Sequence, residues 1–355
     1  MKQSQRNYKR VVIKIGSSLF FSSGINLDTK VLQGICEQAL QLNKDGLEVV
    51  IVSSGAIAFG MHLLGFEKRP KNLSFLQSTS AVGQNELMNT YRKFFKDEIH
   101  NAQILLTWDD FNDRKRYLNA KNTILTLLKL GCVPIINEND TVSIDEIKFG
   151  DNDRLSALVA SLISADLLLI LSDVDGLLDE NKKVIRRVDE ITPQIEGLAC
   201  PTKRATSVGG MITKIEAAKM ALYSGLSCVI ANGRKKDIIL SVLNEPGEAG
   251  TLFVPKKGVS SRHQWIAFGA KPKGSIIVDD GARQALINKK SLLSVGISGC
   301  EGNFESGDIV SLKDSLGHEF ARGKAGFSSK ETDKIKGKHF DKEIIHCDNI
   351  VIKLL

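Results

Sequence analysis

Residues Val11 to Ser18 read VVIKIGSS, a short β-branched apolar run directly before a glycine and two serines. Such a run is typical of a strand that is buried on both faces of a parallel sheet. Further runs of this form, each followed by a polar or glycine cluster, are Val49–Val52, Ile104–Leu106, Val133–Ile136, Leu167–Leu171 and Cys228–Ala231. Helical patterns lie between them, so we expect an open, mainly parallel β-sheet with helices on both faces.

The chain of 355 residues is long enough for two domains of the usual ~150 residues. Its 42% hydrophobic and 25% charged residues are ordinary globular usage, which excludes a disordered or collagen-like protein. After Gly258 the pattern changes to short candidate strands with turn signals between them: Ser275–Val278, Ile309–Leu312, Glu343–Ile345 and Ile350–Ile352. We predict an α/β domain over residues 1–260, a linker over 261–271 and a small β-rich domain over 272–355.

The charge and the cysteines limit the class of protein. The net charge of +7 is spread along the chain, with 15 Lys and Arg against 12 Asp and Glu from Ser261 onward, so it permits an anionic partner without requiring nucleic acid. No signal-peptide core follows the N-terminus, and the most apolar long window, Leu155 to Leu171, contains Asp166. The six cysteines form no Cys-x-x-Cys pair, and the six histidines have no metal-ligand spacing. We therefore expect a reduced cytoplasmic protein with no direct metal ligands.

Lys14 is unusual because it lies within an apolar strand. A buried ammonium needs an anion, and Gly16 beside it would let a phosphate approach backbone N–H groups. The alternative is a lysine that reaches solvent from an edge strand.

Lys214 is predicted in the first turn of a helix that runs from Met211 to about Gly225, with Ile212, Ile215 and Leu222 as candidate inward positions. A lysine at that place adds its charge to the positive end of the helix, which favours phosphate. An exposed helical lysine beside a flexible loop is the other interpretation.

Two polar segments, Ser53–Ala56 and Asn137–Asp140, directly follow predicted strands, and a third, Gly150–Asp153, ends the polar stretch that begins at Asn137. Ligands of parallel sheets bind at this edge, so the segments are candidates for holding an amino group, a carboxylate, lysines or Mg²⁺. The structural alternatives are an N-cap serine in the first segment and a solvated loop in the third, with Asp151 or Asn152 capping the next helix. The sequence contains neither a Walker motif nor a Gly-x-Gly-x-x-Gly fingerprint, so another phosphate-binding fold is needed.

The segments taken together resemble the amino acid kinase family and, within it, the enzymes that phosphorylate glutamate. The resemblance rests on residues 12–18, 52–57, 137–140, 150–153 and 209–214, in this order. The tail, with Gly302-Asn303-Phe304, Gly307-Asp308 and Ala321-Arg322-Gly323, resembles a PUA domain.

The resemblance implies ATP-dependent phosphorylation of the γ-carboxylate of L-glutamate to L-glutamyl 5-phosphate, the first step of proline biosynthesis. Lys14, Lys214 and Mg²⁺ bound with ATP would neutralise the transferring phosphoryl group, and Asp151 would orient both ammonium groups. The glutamate-binding positions would be Ser54, Asn137, Asp140 and Asn152. The ATP-binding positions would be Lys14, Gly16, Ser172, Asp173, Val208, Gly209, Gly210, Met211, Ile212, Thr213 and Lys214. Val208 departs from the family pattern, where a hydroxyl residue is common.

Several alternatives stay open. Carbamate, aspartate, acetylglutamate and nucleoside-monophosphate kinases share the lysine and glycine loops. PUA domains elsewhere serve RNA-modifying enzymes, although the small charge excess and the lack of an evident aromatic stacking cluster here weigh against RNA binding. The resemblance also implies proline as a feedback inhibitor and a homo-oligomer, most simply a tetramer.

Overall fold

The structure is a computed structural model that describes residues 8–20, 27–142, 152–199, 210–255, 263, 265–269 and 272–352. Two compact units divide the chain. The larger unit comprises Met1–Asp110 and Arg114–Gly258, and the smaller comprises Phe111–Asp113 and Val259–Leu355. The predicted linker lies largely outside the described residues, so the boundaries 1–260, 261–271 and 272–355 stay a prediction. Within the described part, no helix is both long and apolar enough to cross a bilayer.

An eight-stranded sheet forms the centre of the larger unit, and each of the six predicted apolar runs lies in one of its strands. The strands are β1 (Arg10–Ile15), β2 (Glu48–Ser53), β3 (Asn101–Leu106), β4 (Val133–Glu138), β5 (Leu167–Ser172), β6 (Arg187–Val188), β7 (Ser227–Asn232) and β8 (Gly250–Phe253). Their order is β3-β4-β2-β1-β5-β7-β8-β6. Neighbouring strands run parallel, apart from the antiparallel pair β7 and β8. The predicted mainly parallel sheet is confirmed.

The helices of the described residues up to Ala249 connect these strands and cover the sheet, whereas the last two, within residues 280–335, belong to the smaller unit. They are α1 (Lys30–Lys44), α2 (Ala56–Leu63), α3 (Leu73–Phe95), α4 (Trp108–Asn112), α5 (Arg114–Lys129), α6 (Asp153–Leu162), α7 (Pro193–Gly197), α8 (Met211–Tyr223), α9 (Ile238–Asn244), α10 (Pro246–Ala249), α11 (Asp280–Ile287) and α12 (Ser329–Ile335). Strands β4 and β5 are buried at every position, as expected of strands covered on both faces.

In helix α6 and its C-cap residue, Leu155, Leu158, Val159, Leu162 and Ile163 are all buried on one face. The prediction for helix α8 is only partly right.

In α8, Ile215 is buried and Leu222 is half-buried, but Ile212 is 44% exposed. Ile212 lies in the first turn, directly after Gly210 and Met211, where the sheet edge is open to a ligand. The expectation that it faces the core was therefore wrong.

Helices α2 and α3 pack unusually closely through two glycines. A Cβ atom on Gly83 would lie 1.8 Å from the backbone oxygen of Ala56, and one on Gly60 would lie 1.9 Å from that of Thr79. The two helix backbones can approach this closely only because both positions are glycine, since a Cβ atom at either would clash with the other helix. The close packing places one face of α3 beside the carboxyl ends of β2 and β4.

The smaller unit contains a five-stranded sheet, ordered β10-β9-β11-β12-β13. Its strands are β9 (Gly274–Val278), β10 (Ile297–Gly302), β11 (Ile309–Lys313), β12 (Glu319–Lys324) and β13 (Ile350–Ile352). The expected strand Glu343–Ile345 was wrong, since Ile345 forms only an isolated bridge with Leu292. Strands β10 and β12 were not predicted, because glycines and charged residues interrupt their apolar pattern.

Candidate active site

Lys14 and Lys214 meet at one buried carboxylate, that of Asp153. The Nζ atom of Lys14 lies 2.5 Å from Oδ1 of Asp153, and the Nζ atom of Lys214 lies 3.1 Å from Oδ2. The Asp153 side chain is fully buried, and those of the two lysines are 4% and 9% exposed. The sequence prediction that these distant lysines act together agrees with this geometry, and the interpretation of either as a solvent-exposed lysine does not.

Three elements bring this cluster together. Lys14 lies on central strand β1, Asp153 is the first residue of α6, and Lys214 is in the first turn of α8. A carboxylate at a helix N-terminus is stabilised by the helix dipole, whereas a lysine there adds to a site for anions. One negative and two positive charges leave the cluster with an excess positive charge at the sheet edge.

The orienting carboxylate predicted from the sequence was Asp151, which lies outside the described residues. The structure gives contact with both lysines to Asp153, two positions further along. The sequence contained a signal for this, because α6 carries small or apolar residues on almost every side, which is typical of a wholly buried helix. An aspartate at the start of such a helix requires cationic partners.

Thr213 ties the loop before α8 to the same carboxylate. Its hydroxyl donates to Oδ2 of Asp153 at 3.0 Å and contacts the backbone oxygen of Gly210 at 2.9 Å. Of the predicted nucleotide loop, Gly210, Met211 and Thr213 are described, whereas Val208 and Gly209 lie outside the described residues.

The ends of β1 and β5 supply further predicted nucleotide-binding residues. The Gly16 N–H donates to the backbone oxygen of Leu171 at 2.9 Å, which places Gly16 beside Ser172. The buried hydroxyl oxygen of Ser172 has no hydrogen-bond partner among the described residues. Asp173 is exposed and accepts a bond from the Ser18 hydroxyl at 3.1 Å. These groups lie at the carboxyl edge of adjacent strands, where parallel sheets bind ligands.

A cavity of about 210 Å³ lies next to the lysine cluster. All four predicted substrate-binding residues line it: Ser54, Asn137, Asp140 and Asn152. Ser17, Arg69 and the start of α2 complete the lining. Because Asn152 precedes Asp153 in the chain, the cavity and the lysine cluster are adjacent.

Asn152 occupies the N-cap position of α6, but its side chain makes no capping hydrogen bond. Its Nδ2 atom donates to the backbone oxygen of Ser53 at 2.9 Å and to Oδ1 of Asn137 at 2.7 Å, and contacts the Ser54 hydroxyl at 3.3 Å. Of the two residues expected to cap the helix, Asn152 therefore does not, and Asp151 lies outside the described residues. The Asn152 side chain is used instead to connect the ends of β2 and β4.

Ser54 and Gly55 form a sharp turn from β2 into α2. Gly55 has φ of 107°, a backbone conformation that favours glycine. A Cβ atom there would also lie 2.6 Å from the ring of Phe20, so both the backbone conformation and the packing exclude a side chain. The N-cap of α2 is Gly55 and makes no side-chain hydrogen bond, so the alternative of Ser54 as a capping serine was wrong. The first backbone N–H groups of α2 are consequently not capped by a side chain and face the end of β2.

Asp140 is held by α3, because one of its carboxylate oxygens accepts a hydrogen bond from the Ser80 hydroxyl. Burial raises the pKa of Asp140 above its ordinary value, Glu138 raises it further, and Ser80 and Arg69 oppose the shift. A cation placed beside this carboxylate would stabilise its ionised form.

The comparisons with known proteins agree with this arrangement. The profile of the amino acid kinase family matches residues 9–232, which include Lys14, Asp153 and Lys214. The chain belongs to the amino acid kinase family. The profile of the PUA domain matches residues 274–347, which cover most of the five-stranded sheet.

Relatives within the family match the chain almost from end to end. It is 45% identical to the glutamate 5-kinase of Caldanaerobacter subterraneus subsp. tengcongensis, with 97% of each chain covered. It is also 45% identical to that of Dehalococcoides mccartyi and 43% identical to that of Citrifermentans bemidjiense, with at least 97% of each chain covered. Both units therefore have counterparts in the same relatives.

The amino acid kinase site includes residues that sequence reasoning missed. Ser80 carries no local signal, because a serine on a long helix is ordinary. Arg69 lies in a polar stretch between α2 and α3 and reaches the cavity only through the fold.

In the described part of the chain, the only group of side chains with metal-binding geometry lies in the PUA unit. It consists of the consecutive residues His346, Cys347 and Asp348, which lie partly or fully at the surface. The Nδ1 atom of His346 already accepts the backbone N–H of Asp348 at 3.2 Å, which occupies its lone pair.

Proposed function

We propose that the chain phosphorylates the γ-carboxylate of L-glutamate with ATP, forming L-glutamyl 5-phosphate for proline biosynthesis. The observation that carries the proposal is the buried pair Lys14 and Lys214 on one carboxylate, directly beside a cavity lined by Ser54, Asn137, Asp140 and Asn152. Glutamate 5-kinases similar to this chain over nearly its whole length support the same assignment.

The lining of the cavity suits an amino acid. Asp140 supplies a negative charge for the α-ammonium group, and the open N-terminus of α2 with the Ser54 hydroxyl supplies donors for a carboxylate. Binding of the ammonium would lower the pKa of Asp140, which burial raises in the free protein.

Phosphoryl transfer in this site needs charge neutralisation more than proton transfer. A carboxylate with a pKa of about 4.3 is already ionised at neutral pH, so it attacks without a general base. The barrier is repulsion between this anion and the triphosphate, and the ammonium groups of Lys14 and Lys214 reduce it. Asp153 holds both ammonium groups in place before ATP arrives, so that little reorganisation is required.

The nucleotide would lie along the carboxyl ends of β1 and β5 and the N-terminus of α8. The Ser172 hydroxyl, which has no hydrogen-bond partner among the described residues, and the backbone N–H group of Gly210 suit phosphate oxygens, and Gly16 lets a phosphate approach the backbone closely. Asp173, Val208, Gly209, Met211, Ile212 and Thr213 stay proposals for this nucleotide site, and Asp151 stays a proposal as a residue that orients the lysines.

Mg²⁺ fits the site as a partner of ATP. Asp153 is engaged by two lysines and Thr213, which suits an orienting carboxylate better than a metal ligand. Mg²⁺ bound to the triphosphate would supply further neutralisation of the transferring group.

Trapping of the acyl phosphate tests the proposal. The protein is incubated with ATP, Mg²⁺ and hydroxylamine together with glutamate, aspartate, N-acetylglutamate or carbamate in turn, and hydroxamate and ADP are measured. We expect glutamate-dependent formation of both products. Preference for another acid, or ATP turnover that is independent of glutamate, would contradict it.

The family also suggests proline as feedback inhibitor, a homotetramer and a cytoplasmic location, and we include these in the proposal. Titration of the activity with proline and the sedimentation mass test the first two, and a proline-insensitive monomer would refute both. An RNA affinity that falls steeply with salt and requires the PUA unit would instead favour the RNA-binding alternative.

A further inference from the structure

A chain of four side-chain amides connects the substrate cavity with edge strand β3. Asn152 Nδ2 donates to Asn137 Oδ1 at 2.7 Å, Asn137 Nδ2 donates to Gln84 Oε1 at 2.9 Å, and Gln84 Nε2 donates to Gln103 Oε1 at 3.2 Å. Asn152, Asn137 and Gln84 are buried, whereas Gln103 is exposed. We refer to these four residues as the amide chain.

Two backbone groups determine which way the amides point. The backbone N–H of Glu138 can only donate, and it lies 2.9 Å from Asn137, so the atom that it meets is Oδ1. The carbonyl oxygen of Ser53 can only accept, and it lies 2.9 Å from Asn152, so the atom that it meets is Nδ2. The orientations of both amides thus follow from hydrogen-bonding partners that cannot be reversed.

These orientations leave Asn152 with an available acceptor. Its Oδ1 atom is buried and has no hydrogen-bond partner among the described residues, and Asn152 lines the cavity next to Asp140. A donor of the substrate would satisfy this oxygen, and the ammonium group of an amino acid is such a donor.

The same orientations give Asn137 an amide N–H that needs an acceptor inside the protein. Gln84 provides it from α3 and lies outside the residues that line the cavity. We propose that Gln84 is a positioning residue, which holds Asn137 and through it Asn152 so that the cavity selects substrates carrying an amino group. This proposal rests on the proposed function, because it concerns the amino-acid subsite of the same reaction.

The reason is the cost of a buried donor without an acceptor. Without Gln84, the Nδ2 atom of Asn137 loses the acceptor that holds this amide in place, and the amide can rotate. Rotation would break its bonds with the Glu138 N–H and with Asn152 Nδ2. The Asn152 amide would then lose its fixed orientation, and its Oδ1 atom would no longer point into the cavity as an acceptor for the substrate.

The test is Gln84→Met, which keeps the side-chain length and removes the acceptor. Gln38→Met is the matched control, because Gln38 is also a buried glutamine, with three bonds to backbone, in α1 and away from the cavity. Binding of glutamate, and of glutarate, which lacks the amino group, is measured by calorimetry on the full-length protein. We expect the Kd of glutamate to rise about tenfold in Gln84→Met, with glutarate unchanged and no change in Gln38→Met.

An equal loss for glutamate and glutarate, or no loss for either, would overturn the proposal. Gln84→Glu keeps an oxygen for Asn137 Nδ2, so we expect glutamate binding within about threefold of the parent, since one acceptor is retained. It also provides a test if Gln84→Met does not fold, and a tenfold loss in Gln84→Glu would count against the proposal.

A double variant tests whether Gln84 acts through Asn137. Adding Gln84→Met to Asn137→Ala should cause no further loss of glutamate binding, whereas independent roles would give additive losses. Turnover is measured separately in the parent protein. If glutamate binds but ATP-dependent turnover is absent, the proposed function is refuted. The role of Gln84 is still tested by the binding measurements, because calorimetry does not require the reaction.

Discussion

Replacement of Asp153 by asparagine removes a buried carboxylate that pairs with two buried lysines. The variant keeps the shape of the side chain, but Lys14 and Lys214 each lose the ion pair with this carboxylate. Removing one member of a buried ion pair costs about 3–5 kcal/mol, because the remaining charge is left unpaired. In addition, two ammonium groups roughly 5 Å apart repel each other by about 3 kcal/mol at an effective dielectric constant of about 20. We expect the free energy of unfolding to fall by at least about 3 kcal/mol.

Urea unfolding of the larger unit measures this change. The chain has two tryptophans, Trp108 in the larger unit and Trp265 in the smaller. In a Trp265→Phe background, fluorescence therefore reports the unit that contains Asp153.

Glu216→Gln serves as the matched control for Asp153→Asn. Glu216 pairs with Arg154 at 3.9 Å, and both side chains are about half exposed. Exposed pairs contribute at most about 1 kcal/mol, so this variant should unfold almost like its parent. A loss below about 1 kcal/mol for Asp153→Asn would refute the reasoning that its carboxylate neutralises both lysines.

Other predictions concern turnover, pH and packing. Lys14→Ala and Lys214→Ala should each lower kcat by about 10²–10³-fold with an unchanged circular dichroism spectrum, because the other lysine still neutralises Asp153; turnover like that of the parent in either would contradict the proposed mechanism. Because the pKa of Asp140 is raised, its carboxylate should take up a proton earlier than an ordinary aspartate as the pH falls. The KM for glutamate should then rise on acidification, and Asp140→Asn should have a high KM that lacks this part of the pH dependence; an identical pH profile in both proteins would contradict this. Gly83→Ala should lower the free energy of unfolding by about 2 kcal/mol or more, since its Cβ would lie 1.8 Å from a backbone oxygen. Gly34→Ala, with open space around its Cβ, should instead raise it by up to about 1 kcal/mol in the same urea experiment.

The main strands and the two lysines were predictable because their signals are local. A run such as Leu167–Leu171 is apolar at every position, and only a strand or helix buried on all sides accommodates that. Lys14 stands out for the same reason, since a charge inside such a run requires a partner. Strands β10 and β12 of the PUA unit lacked this signal, because glycines and charged residues interrupt their apolar pattern. Such residues form a strand only when neighbouring strands pair with it.

The sequence by itself therefore determined the class of fold, the sheet edge that carries the chemistry, and the residue types available there. Tertiary structure decided which of them meet. Asp153 contacts two lysines that lie far from it in the sequence, Lys214 at a separation of 61 positions and Lys14 at more than twice that. Gln84 reaches Asn137 from a helix that two glycines bring close to the sheet. Periodicity states which residues are buried, but the partner of a buried polar group depends on the packing of distant elements, and no local pattern encodes that packing.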